Sequence, residues 1–131
     1  MMRYCYFVIL LRKIFNPYMK SSEIHFTVEL DNQNVPDKIH WSATDNPNEG
    51  INDTRAIAIA VWDHYHRGTL KIDLWTKDME VFEMKRFYIE IMSGIADTLL
   101  TATNDTAMSE AIEGVCETLS RKLDEEMKAA K

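Results

Sequence analysis

The feature of this sequence that most restricts its fold is a pair of apolar stripes in its C-terminal part. Apolar residues recur at three- and four-residue spacing from Val81 to about Thr103, and again from Met108 to Met127. That spacing is typical of amphipathic α-helices, because residues three and four apart share a helix face. Only the turn-forming residues 104–106 separate the two stripes. A connection this short predicts an antiparallel helical hairpin.

Two upstream segments, residues 24–30 and 39–43, alternate between apolar and polar side chains, which is the pattern of half-buried β-strands. The polar segment 31–36 between them contains turn formers, so the two strands are expected to form a hairpin. The apolar faces of paired strands must coincide, and a slip of one residue would turn one of them outward. This requirement predicts a register in which Glu29 lies opposite Lys38.

The middle of the chain contains a continuous apolar run at residues 56–62, which is expected of a helix covered on nearly every side. We predict that this helix begins at Asn52 or Asp53 and ends before Gly68. Residues 70–74 then alternate again and give a third strand. The predicted fold class is α+β: a three-stranded antiparallel sheet of order 2-1-3, packed with one crossover helix and the C-terminal antiparallel helical hairpin.

The first eighteen residues differ in character from the rest. Residues 4–11 are a run of apolar side chains between basic residues, shorter than the ~20 residues that cross a bilayer. No small-residue cleavage site follows, and Met19 opens an acidic region like a second start. We predict that residues 1–18 are an upstream leader or a misassigned start outside the fold, and that residues 19–131 form a single domain. A short hydrophobic anchor is the alternative.

Charge and cysteine content exclude several functional classes. Residues 19–131 hold 12 basic and 21 acidic residues, a net charge of −9 compared with −6 for the whole chain. A field of that sign repels nucleic-acid phosphates and anionic lipids, so we expect neither nucleic-acid binding nor stable membrane insertion. Cys5 and Cys116 are too few and too far apart for a zinc site or a disulfide framework, which is consistent with a reducing compartment.

Asp63, His64 and His66 are the side chains that most suggest catalytic or metal chemistry. On a helix, His64 and His66 would point to opposite sides, whereas a helical two-histidine site needs a spacing of four. We therefore predict no enzymatic activity and no cofactor. The alternative is a metal-dependent enzyme or metal-binding protein that uses these three residues.

Trp75 gives the best indication of a binding surface. It lies on the outward face of the predicted third strand, beside Lys71 and Asp73. A tryptophan that faces away from the core of a small domain marks a surface that another molecule covers. We predict a partner-binding surface formed by Trp75, Asp73, Lys71 and two histidines on the polar faces of the hairpin strands, His25 and His40. Its occupant is expected to be another protein or a second copy of the chain.

Four blocks of sequence carry a family resemblance: Asn46–Gly50, Trp62–His66, Ile72–Met79 and Met84–Tyr88. Together they resemble the gliding-motility-associated GldC family of Bacteroidetes, over about residues 19–131. The resemblance implies a small soluble accessory protein of gliding motility or its associated secretion machinery, and it brings no catalytic residues to carry over. We therefore expect a cytoplasmic adaptor or assembly factor that contacts a gliding or secretion component.

Overall fold

The computed structural model describes residues 20–48 and 50–131, together with the backbone of residues 5–7. The elements in these ranges are, in chain order, β1 (Cys5–Phe7), β2 (Ile24–Leu30), β3 (Pro36–Ala43), β4 (Asn52–Thr54), β5 (Ala56–Asp63), β6 (Gly68–Trp75), α1 (Val81–Thr103) and α2 (Thr106–Ala129). The α+β class is confirmed. The chain divides after Met79 into two compact units, a β unit and a helical unit.

The first sheet of the β unit has the order β1-β2-β3-β4, with every pair antiparallel. The predicted β2–β3 hairpin is confirmed together with its register, since Glu29 pairs with Lys38. Phe26 therefore lies opposite Trp41 on the apolar face, where Ile39 is only 1% exposed. The parity of the apolar positions excludes a slip by one residue, because such a slip would have exposed the core face.

The predicted helix from Asn52 or Asp53 to Gly68 is wrong. Its residues form β4 and β5 instead, and Gly68 is the first residue of β6 rather than a helix terminator. The physical reason lies in the order of the side chains. Residues 56–61 alternate alanine with isoleucine or valine, and this period of two places every β-branched side chain on one face of a strand.

The predicted strand order 2-1-3 is also wrong. The third predicted strand, β6, pairs antiparallel with β5 in a separate two-stranded sheet, rather than beside the first predicted strand, β2. Because the segment before it is a strand, a turn at residues 64–67 replaces the predicted helical crossover. We call the two-stranded sheet formed by β5 and β6 the ribbon.

The base of the ribbon is hydrogen-bonded to the first sheet within the β unit. The backbone N–H of Thr76 donates to the carbonyl of Arg55 at 2.8 Å, which extends the β5–β6 ladder by one pair. The next N–H, that of Lys77, donates to the carbonyl of Pro36 in β3 at 3.0 Å. The Lys77 ammonium also contacts Asp31 and Asp37 at 3.3 and 2.8 Å. These contacts fix where the ribbon leaves the first sheet.

The helical unit confirms the predicted hairpin and both of its helix spans. Asn104 ends α1 in a left-handed conformation (φ 57°), and the carboxylate of Asp105 caps α2 by accepting the N–H of Met108 at 2.9 Å. Small residues line the contact between the helices: the Ser109 hydroxyl donates to the carbonyl of Ala96 at 3.0 Å. Both residues are buried, which allows the two helices to approach closely.

The predicted exclusion of residues 1–18 from the fold stays a prediction. The backbone of β1 lies antiparallel to β2, with Cys5 opposite Val28 and Phe7 opposite Phe26. The remainder of the segment, including most of the apolar run, falls outside the described residues. Whether the domain needs this strand is a question of stability, which a truncation addresses.

Candidate interaction surface

The ribbon brings three of the predicted partner-binding residues together. Lys71, Asp73 and Trp75 lie at alternate positions of β6 and so share one face. The Lys71 ammonium is 3.0 Å from the Asp73 carboxylate, and Trp75 is 50% exposed at the end of the strand. The second carboxylate oxygen of Asp73 is buried, with no hydrogen-bond partner in the described part of the chain. The outward position predicted for Trp75 is observed, and its binding role stays a prediction.

Trp62 belongs to the same face and was missed by the sequence analysis. It lies opposite Thr69, while Ala56 lies opposite Trp75, so the two tryptophans occupy opposite ends of one surface. Between them β5 contributes only alanine side chains, Ala58 and Ala60. We call this surface the tryptophan face. It has a low floor between two large aromatic side chains, and Trp62 is even more exposed, at 63%.

The opposite side of the ribbon is entirely aliphatic, and we call it the aliphatic face. Its members are Ile57, Ile59, Val61, Leu70, Ile72 and Leu74. Burial is uneven along it: Ile57, near the base, is buried, whereas Leu70 is 61% exposed towards the turn. An isolated two-stranded ribbon is at best marginally stable in water. Exposed apolar side chains thus lie on both sides of this ribbon, among the residues that the structure describes.

The turn at the end of the ribbon contains the predicted metal-binding alternative. Asp63 accepts the backbone N–H groups of Tyr65 and His66 at 3.0 and 3.3 Å, and its second oxygen lies 2.6 Å from Nδ1 of His66. The hydrogen bond with the His66 ring, aided by the backbone donors, holds the pKa of Asp63 below its ordinary value. His64 instead stacks on Tyr65, with ring centroids 4.1 Å apart. Asp63 thus organises a turn.

Metal coordination requires several ligands at one point. Across residues 20–48 and 50–131, no group of three or more histidine, cysteine, aspartate or glutamate side chains is placed to hold a metal ion. Asp63 and His66 are paired with each other, and His64 does not join them in such a group. Within these ranges, Asp63, His64 and His66 therefore do not converge into the site that the metal-dependent alternative requires.

His25 and His40 lie in the first sheet rather than on the ribbon. Both occupy the polar side of the β2–β3 hairpin, as predicted. His40 sits between two carboxylates, with Nδ1 2.6 Å from Asp53 and Nε2 3.2 Å from Glu29, while His25 contacts Glu23 at 3.1 Å. Each ring thus contacts a carboxylate in or next to its own sheet. The five predicted surface residues therefore divide between two sheets.

An open polar groove lies beside His40 at the base of the ribbon, lined among others by Asp53, Arg55 and Asp78. The hydroxyl of Thr76 donates to Asp78 at 2.5 Å, and this hydrogen bond is the main cause that lowers the pKa of Asp78. Arg55 lies 3.8 Å from the same carboxylate. Acidic and basic groups thus alternate and neutralise one another along the groove, which gives it no clear preference for an anion or a cation.

The comparisons with known proteins agree with the resemblance seen in the sequence. The family model described as "Gliding motility-associated protein GldC-like" matches residues 36–125. That range begins in β3, includes the whole ribbon and extends into α2. No curated protein and no solved structure matches the chain. Within the described residues, no helix combines the length and the apolar character that crossing a bilayer requires.

Proposed function

The chain belongs to the family of gliding-motility-associated GldC-like proteins, and from that premise we propose that it is a non-enzymatic adaptor or assembly factor that binds a protein component of the gliding or associated secretion machinery. We place its action in the cytoplasm, in keeping with its cysteine content. The tryptophan face of the ribbon is the proposed docking surface. The family match supports the link to gliding motility, and the surface chemistry supports the mode of action.

The observation that carries this proposal is the exposure of two tryptophans on one face. Tryptophan is among the residues that most often dominate binding energy at protein interfaces, because its large ring loses much water-accessible apolar area on contact. Trp62 and Trp75 lie about 20 Å apart along the ribbon, as six residues of extended strand require. A protein segment that spans this distance would bury both rings and rest on the alanines between them.

The charged residues between the tryptophans fit a role in orientation rather than in catalysis. Lys71 and Asp73 form an ion pair on the docking surface. Charged pairs at the edge of an interface chiefly select the partner and its register, while the aromatic anchors supply most of the affinity. We propose that the partner presents apolar side chains to the two tryptophans and a polar segment to the pair between them.

The test uses the full-length chain with an affinity tag, expressed in its native cells. Proteins captured with the wild type are identified, and the binding of each is then measured with purified Trp62→Ala and Trp75→Ala variants. Loss of a tryptophan anchor costs about 2 kcal/mol or more of binding free energy. Each variant should therefore raise the dissociation constant of the true partner about 30-fold. Colony spreading of strains that carry these variants should decline in parallel.

Tyr65→Ala is the matched control. Tyr65 is an aromatic residue of the same ribbon, 83% exposed, but it lies in the turn rather than at a position of the tryptophan face. It should therefore leave partner binding unchanged. Thermal melts of all three variants separate binding from folding. Intact binding by Trp75→Ala and Trp62→Ala, accompanied by a sharp fall in melting temperature, would show that these rings are structural and that the partner binds elsewhere.

A further inference from the structure

The seam between α1 and α2 follows a seven-residue repeat, whose positions are written a to g. The buried residues of α2, Ser109, Cys116 and Leu123, are spaced by seven, and we assign them to position a. The Ser109 hydroxyl donates to the carbonyl of Ala96, and the Cys116 thiol donates to the carbonyl of Ile89 at 3.8 Å. Ala96 and Ile89 are also seven residues apart, so they occupy position a of α1.

The contacts beside this seam show which flanks of the two helices adjoin. In an antiparallel pair, the e positions of both helices lie on one side of the seam and the g positions of both lie on the other. The Ser93 hydroxyl donates to Glu113 at 2.8 Å, and the Arg86 guanidinium lies 3.7 Å from the sulfur of Met127. All four residues occupy position e. The g positions of α1 and α2 therefore share the opposite side of the hairpin.

The two sides of the hairpin differ in chemistry. On the g side, Val81, Ile95, Met108 and Val115 are 50–68% exposed, and we call this side the g face. Amphipathic helices normally bury such an apolar side against protein. Position b, next to the e flank, is acidic throughout both helices: Glu83, Glu90, Asp97, Glu110, Glu117 and Asp124.

We propose that the g faces of two copies of this chain pack together and form a four-helix bundle. Helices of 23 and 24 residues are about 35 Å long, and each is about 10 Å wide. Face-to-face packing would therefore bury about 700 Å² per copy, or about 1,400 Å² in total, which is the size of a stable specific interface. The inference concerns the helical unit alone and does not rest on the proposed function.

The g face suits a second copy because its middle carries no charge. Between residues 86 and 103 of α1, and between residues 106 and 121 of α2, every side chain at positions c, d and g is uncharged. Two such faces can meet without burying an unpaired charge, whose cost would oppose association. The acidic b positions stay on the outer surface of the bundle, in water.

Charge selects one of the two ways in which the g faces can meet. Residues 87–120, which include the turn at the tip of the hairpin, hold six acidic and no basic residues. A two-fold axis parallel to the helices would bring both acidic tips together and place Lys122 of one copy near Lys85 of the other. An axis perpendicular to the helices separates the tips and brings Lys122 to the tip of the second copy, near its Asp105. The perpendicular axis is therefore favoured.

The position of this axis follows from the uncharged stretch. Ala111 lies near the middle of that stretch in α2. With the axis beside Ala111, α2 of one copy lies on α2 of the other, and Met108 of each copy lies opposite Val115 of the second. The exposed apolar side chains of α2 thus cover one another, and the small side chain of Ala111 lets the two helices approach closely.

Sedimentation equilibrium of the full-length chain tests the contact. The wild type should be a dimer. Ile95→Asp and Val115→Asp should each raise the dimer dissociation constant at least about 100-fold, because each would bury an unpaired carboxylate. Leu100→Asp is the matched control, since Leu100 is an exposed apolar residue of α1 at position e, on the other side of the seam. It should leave the dissociation constant unchanged, and circular dichroism of each variant verifies that both helices remain.

Two results would overturn the proposal. One is a monomeric wild type; a fall in the melting temperature of that monomer in Ile95→Asp and Val115→Asp would then show that other residues of the same chain cover the g face. The other is a dimer that tolerates both substitutions, because its copies would meet through a different surface.

Cysteine cross-linking tests the direction of the axis. In a Cys5→Ser background, Ala111→Cys places two thiols beside each other across the axis, and mild oxidation should give a covalent dimer. The native Cys116 is buried and can be retained. Ala107→Cys is the matched control, because Ala107 is an exposed alanine of the same helix at position f, on its outer side. It should not cross-link.

The parallel axis makes a different prediction for the same variants. It would place Ala111 on α1 of the second copy, level with Ile95. Ala111→Cys alone would then stay uncross-linked and would form a disulfide only when mixed with Ile95→Cys. That result would refute the orientation proposed for the bundle.

Discussion

Replacing Ile39 by alanine should destabilise the β unit far more than the same replacement at Ile24. Both residues lie on the apolar face of the β2–β3 hairpin, so chemistry, secondary structure and face are matched. They differ in burial: Ile39 is 1% exposed and Ile24 is 60% exposed. Isoleucine-to-alanine substitutions in a closed core cost about 2–5 kcal/mol, because the lost transfer energy is augmented by the cavity left behind.

The expected loss at Ile24 follows from the same reasoning. Full burial of an isoleucine side chain is worth about 1.5–3 kcal/mol, so a side chain that is 60% exposed contributes about 1 kcal/mol or less, and no cavity forms. Urea unfolding followed by tryptophan fluorescence is the appropriate assay, since Trp41, Trp62 and Trp75 all lie in the β unit. Far-ultraviolet circular dichroism reports the helical unit in the same samples.

Equal losses for the two variants would refute the assignment of Ile39 to the core. A change in the slope of unfolding free energy with urea would indicate instead that the variants alter the unfolded ensemble or the two-state behaviour. Ile39→Val provides an internal scale, with an expected loss of about 0.5–1.5 kcal/mol. The loss of unfolding free energy should therefore be larger for Ile39→Ala than for Ile39→Val, and larger for Ile39→Ala than for Ile24→Ala. Burial alone sets this order.

Three further outcomes are expected. The pKa values of Asp31, Asp63 and Asp78 lie below their ordinary 3.8 in the folded chain, so the ionised carboxylates stabilise the fold. This stabilisation is complete above pH 3.8, and it is lost as the pH falls through the lower pKa values of the folded chain. Melting temperatures should therefore fall below about pH 4, and less steeply in Asp31→Asn; an unchanged acid profile in that variant would contradict the role of its turn hydrogen bonds. Truncation to Met19 should leave the melting temperature nearly unchanged, whereas a drop of many degrees would show that the pairing of β1 with β2 supports the domain. Elemental analysis of protein purified without added metal should find substoichiometric zinc, nickel and iron, and a one-to-one metal that is lost in His64→Ala would favour the metal-dependent alternative.

The elements that could be predicted from sequence are those whose patterns allow one period only. In α1 and α2, apolar residues recur at three and four over more than twenty residues, a spacing that no strand produces. In the β2–β3 hairpin, polar and apolar side chains alternate strictly, and Asp31 fixes the turn by accepting the N–H groups of Gln33 and Val35 at 2.8 and 3.0 Å. Pattern and turn chemistry agree there.

The segment 56–62 lacked this contrast between polar and apolar positions. When every residue is apolar, hydrophobicity cannot distinguish a covered helix from a covered strand. The distinguishing signal was the size and branching of the side chains, alanine at even positions and isoleucine or valine at odd ones. β-Branched side chains are restricted on a helix and pack well on a pleated strand. The pairing with β6, across the turn at residues 64–67, adds the contact between strands that sequence periodicity does not contain.

The error at β5 also determined what could be foreseen of the candidate surface. Trp75 was placed outward because its own strand alternates clearly, but Trp62 lay within the segment assigned to a helix and so had no definable relation to Trp75. Once residues 56–62 form a strand, the same alternation that turns Ile57 and Ile59 to one side turns Trp62 to the other, beside Trp75. The alanines that made the segment apolar at every position are then the floor between two aromatic rings. A docking surface of this shape requires small side chains in its middle. The alanines that concealed the strand in the sequence are therefore the same residues that form the low floor of the proposed docking surface.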